Sequence, residues 1–169
     1  GIPFTDPGTT VTDNFDTNLT ATFTTNVNTS LIGNYIITYN AADTAGNAAI
    51  SVIRTVQVVD RTAPVLTLLG ANPQTIEGAT PYIELGATST DAVDGNLTGS
   101  IQITTSSVNT FATGTYAVVY EVTDSSGNVA STTRTIIVED TTVPVITLTG
   151  SSTLTIPFGS IYTDEGATA

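Results

Sequence analysis

Apolar and polar residues alternate along most of this chain with a period of two, broken at short intervals by Gly, Asn, Asp and Pro. The clearest run is 115–123. There Tyr116, Val118, Tyr120 and Val122 share one parity, and Ala117, Val119, Glu121 and Thr123 share the other. A period of two belongs to a half-buried strand, so the first set is expected to face a core. The matching inward set earlier in the chain is Tyr35, Ile37, Tyr39 and Ala41. Between 61 and 140 the pattern predicts strands over 64–70, 74–77, 82–90, 100–106, 115–123 and 129–138. A short strand is also expected near Val108–Ala112. Asp94-Gly95-Asn96, Gly114 and Ser126-Gly127-Asn128 supply the turns between them. About seven short strands at this spacing predict an all-β fold, an immunoglobulin-like β-sandwich.

The pattern repeats. Val58-Val59-Asp60-Arg61-Thr62-Ala63-Pro64-Val65 returns as Val138-Glu139-Asp140-Thr141-Thr142-Val143-Pro144-Val145, a strand ending in Asp followed by a Pro that opens the next apolar run. Phe4, Gly8, Asp13 and Asp16 match Tyr82, Gly86, Asp91 and Asp94 at an offset of 78. Tyr35, Asp43 and Gly46-Asn47 match Tyr116, Asp124 and Gly127-Asn128 at an offset of 81. Pro144, Gly150, Tyr162 and Gly166 match Pro64, Gly70, Tyr82 and Gly86 at an offset of 80. Three tandem Ig-like domains are therefore expected. Residues 1–60 form a partial one without its first strands, 61–140 a complete one, and 141–169 the start of a third. Gly-x-Tyr at 33–35 and 114–116 marks Tyr35 and Tyr116 as tyrosine corners, whose hydroxyls bond back to nearby backbone.

Three recurrent pieces carry a family resemblance. They are Tyr-x-Asp/Glu-x-Gly-Ala (82–87, 162–167), Thr-Asp-x-x-Asp-x-Asn-Leu-Thr (12–20, 90–98) and Asp-x-x-Gly-Asn (43–47, 124–128). With them the whole chain resembles the bacterial surface-protein Ig-like repeats, including the hyalin-repeat-like group. That resemblance implies extracellular stalks, adhesins and wall-associated repeats, often in long arrays. It implies no single ligand, because fold alone does not set function.

Composition narrows the functions. The 169 residues carry 15 acids against three basic residues, a net charge of −12, and contain no His, Cys, Met or Trp. The three bases are Arg54, Arg61 and Arg134, so there is no Lys. Nucleic acid and anionic membrane, which need basic surface, are not expected partners. Without His, Cys or Lys the usual nucleophile and base pairs are missing, and no enzyme is expected. Paired carboxylates could serve a glycosidase, but acids recurring in each repeat suit a structural role better. No run is long or apolar enough to span a membrane, and no signal peptide is expected in this segment.

The acids supply the one chemical hypothesis. Eight of the ten Asp residues fall on repeat-equivalent positions: 13/91, 16/94, 43/124 and 60/140. In a sandwich of this order the loop bearing Asp91 and Asp94, the turn opened by Asp124 and the linker residue Asp60 lie at one end. Four carboxylates there would repel unless a cation joined them. Ca²⁺ fits, since it takes about 6–8 oxygen ligands in flexible geometry. Asp13, Asp16, Asp43 and Asp140 are the partial equivalents at the neighbouring joints. The plainer reading of the same motifs is turn chemistry alone, Asp capping its turn and Gly taking positive φ; both readings stand at this point. Arg54 and Arg134 recur on the last strand of their repeats, opposite Asp6 and Glu84. Two ion pairs or two solvated charges would each account for them, and solvated charges are the simpler expectation.

Two functional classes follow. One is a structural spacer or filament segment whose partners are neighbouring repeats. The other is an adhesin that binds glycan or protein through loops, although no aromatic cluster marks a combining site. A third idea is head-to-tail self-assembly, with 141–158 of one chain donated as strands to 1–60 of another. A segment of a longer array is the simpler expectation.

Overall fold

The computed structural model describes residues 3–105 and 108–168. It is all-β: apart from a short 3₁₀ turn at Thr98–Ser100, every regular element among the described residues is a strand. No helix among them is long and apolar enough to cross a membrane. The strands in order are β1 (Thr22–Thr25), β2 (Gly33–Asn40), β3 (Val52–Val58), β4 (Val65–Leu68), β5 (Gln74–Glu77) and β6 (Ala87–Asp91). They continue as β7 (Gly95–Asn96), β8 (Gln102–Thr105), β9 (Gly114–Thr123), β10 (Val129–Glu139), β11 (Thr147–Leu148) and β12 (Ala167–Thr168). Hydrogen bonding orders them as β1-β2-β3, β4-β6-β7, β5-β10-β9-β8 and β11-β12. The two sheets spanning β4 to β10 are those of an Ig-like β-sandwich.

By packing the chain falls into two compact units, one of residues 1–67, 88–102 and 121–131, the other of 68–87, 103–120 and 132–169. In the first unit β2 lies between β1 and β3, with Tyr35 opposite Val56 and Ile37 opposite Arg54. The parity read from the sequence holds, since Ile37 and Tyr39 are buried and Ile36 is exposed. In the second unit the last residues of β10 pair in parallel with β5, Ile136 opposite Gln74 and Val138 opposite Ile76. Val118, Tyr120, Ile136 and Val138 form its buried core. Both tyrosine corners form: the Tyr35 hydroxyl donates to the Leu31 carbonyl at 2.7 Å and that of Tyr116 to Ala112 at 2.9 Å.

Three sequence expectations change. The strand read at 82–90 is confined to Ala87–Asp91. Gly86 has φ +78, and the Glu84 carboxylate accepts the Gly86 N–H at 2.8 Å, so the backbone bends where the strand was expected to run. No strand forms at Val108–Ala112. Asn109 instead closes a turn, its side-chain oxygen accepting the Phe111 N–H at 3.0 Å, and Phe111 stays exposed. The strand read at 100–106 runs over Gln102–Thr105, and Ser106 lies outside the described residues.

The arginines depart furthest from the simpler expectation, because both are paired. Arg134 is wholly buried. Its guanidinium donates to the Tyr120 hydroxyl at 3.1 Å, to the Leu69 and Gly86 carbonyls at 2.6 and 2.9 Å, and to the Ala71 carbonyl. Its Nε lies 3.8 Å from Glu84 Oε1. Arg54 pairs with Asp6 and donates to the Gly8 carbonyl, but its side chain keeps 33% of its exposure. Burial by itself would raise the Glu84 carboxyl. The Tyr120 and Tyr82 hydroxyls, the Gly86 N–H and Arg134 outweigh it and hold that carboxyl below its ordinary value. A carboxyl depressed in the folded state contributes stability above its unfolded pKa of about 4.3, lost as pH falls through the lower folded value. Thermal melts run from neutral to acid are therefore expected to drop across that window, and Glu84→Gln to flatten that part of the curve.

Candidate metal centre

Each acid at the 60/91/94/124 site is set by its own turn. Asp91 ends β6, and its Oδ1 accepts the N–H groups of Val93 and Asp94 at 2.7 and 3.0 Å. Those two N–H groups, Asp94's foremost, hold its carboxyl below the usual range against the opposing effect of burial. Asp94 then reaches across to the turn after β9, accepting the Ser125 N–H at 2.9 Å and the Ser125 hydroxyl at 2.7 Å. Asp124 opens that turn. Its Oδ1 takes the N–H groups of Ser126 and Asn128, and its Oδ2 takes the Asn128 amide at 2.7 Å. Gly127 sits at φ +87, a conformation that side chains rarely adopt, and this lets the turn close on Asp124. Asp60 arrives from the linker. Its Oδ1 accepts the Thr62 N–H at 3.0 Å, and its carbonyl accepts from the Asn128 amide at 3.5 Å.

These four side chains come together. One carboxylate oxygen from each lies within 4.8 Å of the others. Asp124 is 7% exposed. Asp60 Oδ2 and Asp91 Oδ2 are shielded from solvent and have no hydrogen-bond donor among the described residues. At an effective dielectric of ~20, two unit charges ~4 Å apart repel by about 4 kcal/mol. The turns hold the acids in place, and their donors leave two buried oxygens unserved. Oxygen-only donors in this number suit a hard cation such as Ca²⁺.

The first repeat has three-quarters of the same wiring. Asp13 accepts the N–H groups of Phe15 and Asp16, Asp16 accepts the Thr44 N–H and hydroxyl, and Asp43 accepts the Asn47 N–H and amide. The Asp13 carboxyl is held down chiefly by the Asp16 N–H, and that of Asp43 by the Asn47 side chain. Among the described residues no second group of three or more acids draws as close as 60/91/94/124. Asp140 repeats the Asp60 turn, accepting the Thr142 N–H at 3.3 Å. The sequence reading missed its neighbour Glu77, whose carboxylate takes the Thr141 N–H and the hydroxyls of Thr141 and Thr142. It also missed Ser125. The signal there was the hydroxyl residue that follows Asp43 as Thr44 and Asp124 as Ser125.

The model of the family described as bacterial surface protein, Ig-like domain, matches residues 1–58 and again 66–138. The chain belongs to that family. The match makes it an extracellular structural or binding module of bacterial surface-protein type. An uncharacterized 81.3 kDa protein of Acholeplasma phage L2 is 35% identical over 126 residues. The pesticidal crystal protein Cry22Aa of Bacillus thuringiensis is 31% identical over 124 residues. Each match takes in 70% of this chain but only 17% of the relative's length. Among solved structures, a lipoprotein of Bacteroides thetaiotaomicron is 28% identical at a TM-score of 0.42, over 48% of this chain and 40% of its own. A structure with CBM51-2 in complex with GlcNAc and INT domains, from Clostridium perfringens ZmpB, is 30% identical at a TM-score of 0.38. It covers 53% of this chain and 21% of its own.

Proposed function

We propose that this chain is a non-catalytic spacer or filament segment of an extracellular array, stiffened by Ca²⁺ at the joint carrying Asp60. The observation that carries this reading is the meeting of four carboxylates from three separate stretches of chain, two with shielded oxygens that have no donor among the described residues. A cation there ties the linker residue to both loops of the following repeat. Ca²⁺ is favoured over Mg²⁺ because loops of this kind do not impose a strict octahedron. A joint of fixed geometry suits a module that holds something away from a surface, and its partners are then neighbouring repeats. The pairing of β11 with β12 supports a segment of an array over strand donation, since the third repeat's first strand copy already has a partner in its own chain.

Calorimetric titration of the chain with CaCl₂ tests the proposal. One site per chain, with a rise in melting temperature and a weaker response to MgCl₂, is expected. The absence of both heat and melting shift would remove the cation from the account.

A further inference from the structure

Arg61 follows Asp60 directly, and nothing in the proposed function uses it. It is exposed, and among the described residues it makes no ion pair or hydrogen bond, unlike the other two arginines. Arg134 lies buried inside β10 and Arg54 lies in β3 with its guanidinium on Asp6 and Gly8. With no Lys in the chain, the Arg61–Thr62 bond is the one target of a protease specific for basic residues that lies outside a strand. It sits in a stretch, 59–64, without regular secondary structure.

Exposure alone does not make a bond cleavable, because several residues on each side must leave the protein and extend into the enzyme. Here both flanks are held. The Asp60 carbonyl accepts from Asn128, the Thr62 N–H is given to Asp60 Oδ1, and Pro64 is buried. The hold on the amino-terminal side runs through Asp60, whose Oδ2 has no donor among the described residues and whose carboxylate has an oxygen within 4.8 Å of one from each of the other three acids. Without a cation that carboxylate is repelled, and the linker is biased towards leaving. With a cation Asp60 is anchored and the bond is withdrawn.

We infer that the Asp60 site gates proteolysis, so that loss of Ca²⁺ opens the Arg61–Thr62 bond to an arginine-specific protease, which severs the chain between the first repeat and the second. The inference rests on the cation reading above. Water is the co-reactant: the peptide bond breaks, Arg61 gains the new carboxylate and Thr62 the new amine.

The test is limited trypsin digestion of the whole chain over a range of free Ca²⁺, each rate normalised to a free arginine peptide in the same tube. Ca²⁺ binding is measured in parallel by calorimetry. The first products are expected to be 1–61 and 62–169 by mass. If only the cation-free form opens, the rate falls as 1 + [Ca²⁺]/Kd, about 100-fold when free Ca²⁺ is 100 times Kd. Arg61→Gln should abolish the first cut, and Asp60→Asn should keep the cut but lose most of the protection. Binding of Ca²⁺ with an unchanged rate would overturn the gate and leave the cation reading intact. An absence of binding would overturn both. A first cut at Arg54 or Arg134 would also overturn the gate.

Discussion

Arg134→Met is expected to cost the second repeat about 3–5 kcal/mol, read as the shift of its urea unfolding curve by circular dichroism. The guanidinium is wholly enclosed and satisfies the Leu69, Ala71 and Gly86 carbonyls as well as the Tyr120 hydroxyl. Methionine fills similar space but leaves three carbonyls and the nearby Glu84 carboxylate without their cation. Arg134→Lys should fall between the two. It keeps the charge, but three donors on one nitrogen do not span acceptors that the planar fork reaches together. The first repeat supplies the internal control. Arg54 occupies the same place with a third of its side chain exposed, so Arg54→Met should cost no more than about 1 kcal/mol. Equal losses at the two positions would mean that enclosure of Arg134 contributes little.

Asp60→Asn should change sign with calcium. In chelator the substitution removes a charge from a crowded group and places an amide donor among the three remaining carboxylates. The variant should then be more stable than the parent by about 2 kcal/mol, given like-charge repulsion of this order. At free Ca²⁺ 100 times Kd the parent gains about 2.7 kcal/mol by linkage. The variant, one carboxylate short, gains much less, so the order of melting temperatures reverses. A variant that stays below the parent in both conditions would mean that the acids are held by their turns without strain. One that stays above in both would mean that no cation is bound there.

Much of this was legible because the chain says the same thing more than once. The parity of Tyr116, Val118, Tyr120 and Val122 gave the inward face of β9, and its repeat in β2 fixed the register of the two. The recurrence of 13/91, 16/94, 43/124 and 60/140 marks eight acids as parts of the repeat, but only 60/91/94/124 draw together, and Asp13 and Asp140 stay exposed. Arg134 was misjudged although its signal was present. It shares a parity with Ile136 and Val138, so the alternation already placed it on the buried side, and the usual preference of arginine for water was given too much weight. The bend at Gly86 was hidden for a different reason. It depends on Glu84 turning back on its own backbone, a choice that Tyr82, Tyr120 and Arg134 make together from distant parts of the sequence. The strand expected near Val108 failed because local Asn109 turn chemistry competed with a weak apolar run.

The enclosure of Arg134 and the pairing of Arg54 have one more consequence. A chain with 15 acids and three bases turns one of its few positive charges wholly inward and neutralises another on Asp6, leaving Arg61 as the lone outward cation among the described residues. Copies brought close together in solution therefore meet as like-charged surfaces and repel. Their spacing should tighten as salt shortens the reach of that repulsion, about 8 Å at physiological ionic strength.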